Sequence, residues 1–183
     1  MEQTGEYRIR AVREVVWKAL NDAEILGRCI PGCESLVAVE ENRFVAAVTS
    51  KIGPVKARFQ GEITLSELDP PQSYTLTGRG QGGAAGFARG EARVQLDDEG
   101  DETLLKYELA ASVGGKLAQV GSRLVDGVVR KLADDFFTSF KEVIEGEVPG
   151  GVESRASEAE SGRAIKRWMW VVIVLATAAL LLL

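Results

Sequence analysis

Residues 114–145, GGKLAQVGSRLVDGVVRKLADDFFTSFKEVIE, decide the fold. After Gly114-Gly115, apolar side chains recur every three or four residues, which is the spacing of one face of an α-helix. This apolar stripe comprises Leu117, Val120, Leu124, Val128, Leu132, Phe136, Phe140 and Val143. The pattern predicts one long helix of about eight turns that ends near Glu145. Its apolar face must be buried against another element.

The segments before this helix alternate between apolar and polar side chains, as half-buried strands do. The alternation is clearest at 55–66, where Val55, Ala57, Phe59, Ile63 and Leu65 share one face. Two short helices are predicted, at 12–20 and directly after Asp22, whose side chain suits an N-cap. The predicted strands are 4–10, 36–39, 43–52, 55–66, 74–80, 86–96 and 103–113. We therefore expect an α+β domain in which a curved antiparallel sheet wraps the long helix.

Charge and composition exclude several classes of function. Residues 1–145 carry 18 basic and 23 acidic side chains, and this acidic balance argues against a nucleic-acid partner. The chain has no histidine, so the commonest metal ligand and the commonest general acid/base are absent. Cys29 and Cys33 alone do not make a zinc site, and we predict no metal site. Their spacing would allow a disulfide, but we expect both thiols to be reduced and buried.

Two central strands carry small side chains on the face turned toward the helix: Gly78, Gly80, Gly86, Ala88, Gly90 and Ala92. A sheet that faces a helix is normally filled with large aliphatic and aromatic side chains, so small ones leave space. We predict an apolar ligand cavity here, completed by Phe59 from a neighbouring strand and by Leu124, Val128, Leu132 and Phe136 from the helix. The alternative is a helix that packs directly on the glycines.

The sequence shows no catalytic constellation, because no Ser or Cys stands beside a base and no carboxylate pair faces inward. The glycine-rich segment 80–86 lacks the Lys-Ser/Thr of a phosphate loop and joins two strands. We therefore expect a protein that is not an enzyme and has no catalytic residues. An enzyme of this fold would have to use Tyr74, Tyr107 or Arg79.

The C-terminal stretch at 168–183 reads WMWVVIVLATAALLLL. Its sixteen residues span about 24 Å as a helix, and snorkelling Lys166 and Arg167 extend its reach toward the roughly 30 Å of a bilayer core. Trp168 and Trp170 suit the headgroup region. We predict a transmembrane helix at 165–183 after a flexible linker at 146–164. The preceding basic residues place residues 1–145 in the cytoplasm, as in a tail-anchored protein of the cell membrane.

Four motifs in order resemble one known family: Ile30–Leu36 (IPGCESL), Lys51–Ala57 (KIGPVKA), Gly86–Gly90 (GFARG) and Gly114–Leu124 (GGKLAQVGSRL). The combination is similar to the carbon monoxide dehydrogenase G-subunit (CoxG) family, of the START-like (SRPBCC) superfamily. The resemblance covers residues 1–145 and implies a helix-grip fold, with a seven-stranded antiparallel sheet around a long C-terminal helix and a hydrophobic cavity. It also implies membrane attachment of a molybdenum-containing dehydrogenase and a role with quinones.

The residues and the resemblance together suggest a membrane-anchored accessory protein. We expect it to recruit a cytoplasmic molybdenum hydroxylase to the lipid bilayer and to bind a lipophilic small molecule, an isoprenoid quinone, with no other cofactor. A membrane adaptor without a ligand is one alternative. A START-like cyclase or hydratase is the other.

Overall fold

The computed structural model describes residues 1–147, in which seven antiparallel strands form one sheet beside a long C-terminal helix. The sheet order is β1-β7-β6-β5-β4-β3-β2, so every neighbouring pair except β1 with β7 is also consecutive in the chain. The elements are β1 (Glu2–Ile9), α1 (Arg13–Leu20), α2 (Ala23–Cys29), β2 (Cys33–Glu40), β3 (Arg43–Ile52), β4 (Val55–Asp69), β5 (Ser73–Gln81), β6 (Phe87–Asp98), β7 (Thr103–Gly114), α3 (Lys116–Gln119) and α4 (Ser122–Glu147). These strands confirm the predicted α+β fold.

The two short helices connect the edge strands β1 and β2. Helix α2 begins as predicted, because the carboxylate of Asp22 accepts hydrogen bonds from the backbone N–H groups of Glu24 and Ile25, at 2.8 and 3.2 Å. Such a cap satisfies donors that the first turn of a helix otherwise leaves open. Helix α2 contacts α4 and the adjoining strand β2, so the helical layer is continuous over one side of the sheet.

The alternation in the sequence sets which side chains face this helical layer. Along β4, exposed and less exposed residues alternate from Val55 to Leu65, as predicted. Directly paired residues in an antiparallel sheet lie on the same face. The pairs of Ile63 with Gly78, and of Gly78 with Gly90, therefore extend the inner face of β4 across β5 and β6.

The long helix is interrupted near its start, which corrects the prediction of one continuous helix. Gly121 has φ of +98°, a conformation that favours glycine and does not continue an α-helix. The chain therefore forms the single turn α3, breaks, and begins α4 at Ser122. The break resets the helical phase, so that the inward-facing side chain at the start of α4 is Val125 rather than Leu124.

Two glycines hold the end of the sheet near α3 together. Gly86 (φ 109°, ψ −146°) and Gly115 (φ 72°, ψ −144°) both adopt backbone conformations that side chains rarely tolerate. A Cβ at Gly86 would collide with the carbonyl oxygen of Gly114, and one at Gly115 would lie 2.6 Å from the Cα of Gly86. This contact joins the β5–β6 turn to the end of β7.

Cys29 is buried and Cys33 half-buried, both as reduced thiols, and burial raises the pKa of the Cys33 thiol. Within residues 1–147, no helix has the length and apolar character that crossing a bilayer demands. The predicted membrane anchor at 165–183, with Lys166, Arg167, Trp168 and Trp170, lies outside the described residues. The same is true of the predicted linker, except for Gly146 and Glu147, which belong to α4.

We predict that Gly86→Ala destabilises the domain by more than about 3 kcal/mol, because left-handed strain is added to a backbone clash. Gly83→Ala is the matched control. Gly83 also has a positive φ of 57°, but its Cβ would meet nothing within 4 Å, so only strain of about 1–2 kcal/mol is expected. Chemical denaturation of the full chain measures both values. Equal losses would contradict the close contact between Gly86 and Gly114.

Candidate ligand cavity

An apolar cavity of about 390 Å³ lies between the inner face of the sheet and helix α4. Strands β3 to β7 form one wall, α4 forms another, and the end of α2 with the following loop closes a third. A volume of this order is within the range of about 300–1,000 Å³ that small-molecule sites occupy. The apolar part of the lining comprises Leu20, Leu26, Ile30, Pro31, Leu36, Phe44, Val48, Ile63, Leu65, Leu76, Ala92, Val94, Leu105, Leu109, Val129, Leu132, Ala133, Phe136 and Phe137.

Only three polar side chains, Ser50, Tyr74 and Tyr107, join this lining among the described residues, and none of them carries a charge at neutral pH. Burying an unpaired charge in such surroundings would be costly, because no opposite charge is available in the wall. The cavity therefore suits a neutral and largely apolar molecule.

Tyr74 combines deep burial with an unused hydrogen-bonding group. The residue is 4 % exposed, and burial raises the pKa of its hydroxyl. Its ring centroid lies 5.5 Å from that of Trp17 in an edge-on arrangement. No residue within 1–147 forms a hydrogen bond with this hydroxyl. Because Tyr74 lines the cavity, its hydroxyl is available to donate a hydrogen bond to an acceptor on a ligand.

Tyr107 lies in a different setting, at the side of the cavity nearest β1. A Cβ at Gly5 would come within 2.9 Å of the Tyr107 hydroxyl, so the absence of a side chain at Gly5 makes room for this ring. Burial, and then the nearby charge of Asp134, raises the pKa of Tyr107. Tyr7 stacks on Phe137 at 4.2 Å and donates a 2.7 Å hydrogen bond to Asp134. Burial and this hydrogen bond raise the pKa of Tyr7 as well.

Three of the residues predicted to form the cavity, Ala92, Leu132 and Phe136, line it. The predicted positions Gly78, Gly80, Ala88 and Gly90 share the sheet face of Ala92 but do not line the cavity. They lie further toward the β5–β6 turn.

The other predicted cavity residues have structural roles elsewhere. Gly86 belongs to the contact with Gly114. The ring of Phe59 occupies the space that a side chain at Gly82 would need, and Leu124 packs against Gly53 in the β3–β4 turn. Val128 is half-buried, and its neighbour Val129 lines the cavity instead. Each step of four residues advances about 40° beyond a full turn of an α-helix, so a stripe at 124, 128, 132 and 136 does not keep one side toward the sheet along its whole length.

Direct packing of the helix on the glycines, the alternative considered from the sequence, does not occur at these positions. A Cβ at Gly78 would meet nothing within 4 Å, and one at Gly80 would meet only β4 atoms at 4.0 Å. At Gly90 the nearest atoms belong to Ala110, Ala111 and Leu109 of the neighbouring strand. The space above this part of the sheet is therefore not filled by α4.

The sequence analysis did not assign Tyr74, Leu76, Ile63 and Leu109 to the cavity, although they form much of its sheet wall. The signal was present, since Tyr74 and Leu76 continue the same alternation as Gly78 and Gly80. The prediction relied on small side chains such as glycine, whereas the wall of a cavity consists of large apolar side chains around the space. The contribution of Ile30 and Pro31 depends on the path of a loop, which no periodicity indicates.

We predict that Ala92→Leu leaves the free energy of unfolding unchanged or raises it by up to about 1 kcal/mol, because the larger side chain enters existing space. The control is Ala19→Leu, at a buried alanine of α1 outside the cavity lining, where overpacking should cost about 1–3 kcal/mol. Denaturation of the two full-length variants compares them directly. A similar loss at both positions would show that Ala92 does not border open space.

Comparisons with known proteins agree with this geometry. The family model for the G subunit of carbon monoxide dehydrogenase (CoxG) matches residues 5–145. A solved structure of a conserved protein from Geobacillus kaustophilus is 34 % identical, with a TM-score of 0.75, over 80 % of this chain and 96 % of that chain. No curated protein matches the chain.

Two more distant structures share the fold alone. A START superfamily protein from Mycobacterium smegmatis is 15 % identical, with a TM-score of 0.63 over 80 % of this chain and 99 % of that chain. An aromatase/cyclase from Streptomyces sp. R1128 is 13 % identical, with a TM-score of 0.60 over 83 % and 99 % of the two chains. The match over residues 5–145 and the 34 % identical structure establish that this chain belongs to the carbon monoxide dehydrogenase G-subunit (CoxG) family.

Proposed function

We propose that this protein is an accessory carrier that holds a neutral lipophilic molecule, an isoprenoid quinone, for a molybdenum-containing dehydrogenase at the membrane. The observation that carries the proposal is the cavity between the sheet and α4, whose described lining is apolar except for three uncharged polar side chains. Transfer of apolar surface from water into such a space is favourable by about 25 cal/mol per Å².

The chemistry of the wall favours a quinone over a fatty acid or another charged lipid. A carboxylate or phosphate head would need a cation or several hydrogen-bond donors, and the described lining contains no Lys or Arg. A quinone carries no charge, and its carbonyl oxygens accept hydrogen bonds. The Tyr74 hydroxyl is a suitable donor, because a tyrosine hydroxyl is already protonated at neutral pH and burial raises its pKa further.

The family supports the proposed partner, and the sequence supports the proposed location at the membrane. The family is described as a subunit of carbon monoxide dehydrogenase, which supports a dehydrogenase of this type as the partner. The apolar residues 168–183 support anchoring in a bilayer, with residues 1–147 on the cytoplasmic side. A carrier tethered in this way would stay close to both the lipid that stores the quinone and the enzyme that uses it.

A cyclase or hydratase function has less support. Such chemistry needs an acid or base near the substrate, and the titratable side chains in the described lining are Tyr74 and Tyr107. Their raised pKa values make both hydroxyls weak acids at neutral pH. We therefore propose a binding function without catalysis, and an adaptor without a ligand remains the competing outcome.

We predict that the full chain, purified from membranes in mild detergent, contains an isoprenoid quinone in a near-stoichiometric amount. Organic extraction followed by mass spectrometry measures this content. Ala92→Leu should reduce the quinone content several-fold, because the new side chain occupies the cavity. Ala110→Leu makes the same change on the exposed outer face of β7 and should retain the quinone.

Two results would redirect this proposal. A wild-type protein that is empty but still retains a molybdenum hydroxylase would be an adaptor without a ligand. Equal quinone content in the Ala92→Leu and Ala110→Leu variants would place the ligand outside the cavity.

We also predict that Tyr74→Phe weakens quinone binding roughly five-fold, which corresponds to the loss of one hydrogen bond of about 1 kcal/mol. A hydrocarbon analogue with the same isoprenoid chain and no carbonyl group should bind both proteins equally. Tyr107→Phe is the control, since this hydroxyl lies near Gly5 and Tyr7 at the side of the cavity. Infrared spectroscopy of a carbonyl-labelled quinone provides a second measurement, because loss of the hydrogen bond shifts the carbonyl stretch. An unchanged stretch in Tyr74→Phe would exclude this contact.

A further inference from the structure

Three segments of the described domain carry basic side chains without any acidic one. The segments 51–61, 80–90 and 112–125 contain six basic side chains and no acidic one, although the whole chain has a net charge of −5. Such a separation gives an otherwise acidic protein one end that attracts anions.

These three segments meet at the same end of the sheet. Gly53 in the β3–β4 turn packs against Val120 and Leu124, with distances of 3.2–3.3 Å from its Cβ position. The β5–β6 turn touches the end of β7 through Gly86 and Gly114. We call this surface, formed by residues 51–61, 80–90 and 112–125, the basic end.

Most cations of the basic end form no ion pair within the described domain. Lys51, Lys56, Lys116 and Arg123 are exposed and form no ion pair with any residue from 1 to 147. Arg58 does pair with Glu34, and Arg89 donates a 2.9 Å hydrogen bond to Ser112.

The opposite end of the sheet provides a contrast, because its cations are paired. Residues 97–102, between β6 and β7, contain five acidic side chains. Arg8 pairs with Glu99 at 2.9 Å and Lys106 with Asp97 at 2.7 Å. Cations without an ion pair also occur elsewhere among residues 1–147, for example at Lys18 and Arg93. The basic end differs in that its three segments contain no acidic side chain.

The basic end also exposes large apolar side chains beside the cations. Phe87 is 40 % and Leu124 41 % exposed. Cations interspersed with exposed apolar groups match a bilayer surface, where phosphates attract the cations and apolar side chains enter the boundary with the acyl chains.

The cavity extends toward this end of the domain. Ser50, which lines the cavity, precedes Lys51 directly, and Val129 lines it from α4 about two turns after Ser122. Contact between the basic end and a membrane would therefore bring the cavity close to the lipid and shorten the path of an apolar molecule through water.

We propose that the basic end is a docking surface for anionic lipid, so that the folded domain itself contacts the bilayer. The inference deepens the proposed carrier function, on which it rests, by naming the surface through which the cavity exchanges its ligand with the membrane. It concerns residues 1–147 and is separate from the predicted anchor at 165–183.

The test uses the full chain reconstituted into nanodiscs of phosphatidylcholine alone or of phosphatidylcholine with phosphatidylglycerol. Hydrogen–deuterium exchange then reports on segments 51–58, 83–89 and 116–124. Because the C-terminal residues are the same in both nanodiscs, the difference isolates contact by the domain. We expect slower exchange in these segments only when phosphatidylglycerol is present, and we expect high salt to abolish the effect.

Lys51→Glu with Lys56→Glu should remove this protection. Lys116→Glu with Arg123→Glu should do the same from the other side of the basic end and guards against a local folding defect. The control pair is Lys18→Glu with Arg93→Glu, which changes the net charge equally at positions outside the basic end and should leave the protection intact.

Equal exchange in both nanodiscs, or protection that survives both charge reversals, would overturn the inference. Protection by the purified dehydrogenase without phosphatidylglycerol would also overturn it, in favour of a protein partner on this surface. Quinone content measured on the same samples separates the two proposals. A loaded protein without lipid-dependent protection disproves only the docking surface, whereas an empty protein with protection disproves only the carrier function.

Discussion

The aromatic side chains in the second half of α4 set the distance between the helix and the sheet. Phe137 stacks on Tyr7 at 4.2 Å and lies 5.5 Å from Tyr107, so rings from both layers meet where the helix covers β1 and β7. The ring centroid of Phe136 lies 5.0 Å from that of Phe137 and 5.8 Å from that of Phe140. Rings of this size keep two layers further apart than aliphatic side chains do. Toward the middle of the helix, Val129 and Ala133 are too small to fill the resulting gap, and the cavity follows.

Much of the fold was predictable because each element has a strong local pattern. Alternation along β4 identified its inner face correctly, and Asp22 marked the start of α2. The continuous helix from residue 116 was not correct, because a single glycine at position 121 outweighs the apolar period on either side of it. Apolar spacing indicates which residues favour burial, whereas a backbone angle at one residue decides where the helix begins.

The site was less predictable than the fold for a related reason. The small residues of β5 and β6 indicated that space would remain over the sheet, and Gly78 does face such space. The described walls of the cavity, however, depend on large side chains such as Ile63, Leu76 and Leu109, which also look like ordinary core residues in a sequence. Only packing in three dimensions separates a buried side chain that fills the core from one that borders a void. The hydroxyl of Tyr74 is informative for the same reason, since its lack of a partner among residues 1–147 is visible only in the structure.

The uneven distribution of charge distinguishes one end of the domain from the other. The ion pairs between Arg8 and Glu99 and between Lys106 and Asp97 neutralise cations at the acidic end, whereas those at Lys51 and Lys56 stay available. Exposed cations contribute little to folding stability, and ion pairs at the surface contribute only about 0–1 kcal/mol. Stability alone therefore does not account for the placement of the unpaired ones. An apolar cavity carries no charge and therefore cannot orient the domain at a lipid surface. Charges on the outside of the domain must do this, and the difference between its two ends provides them.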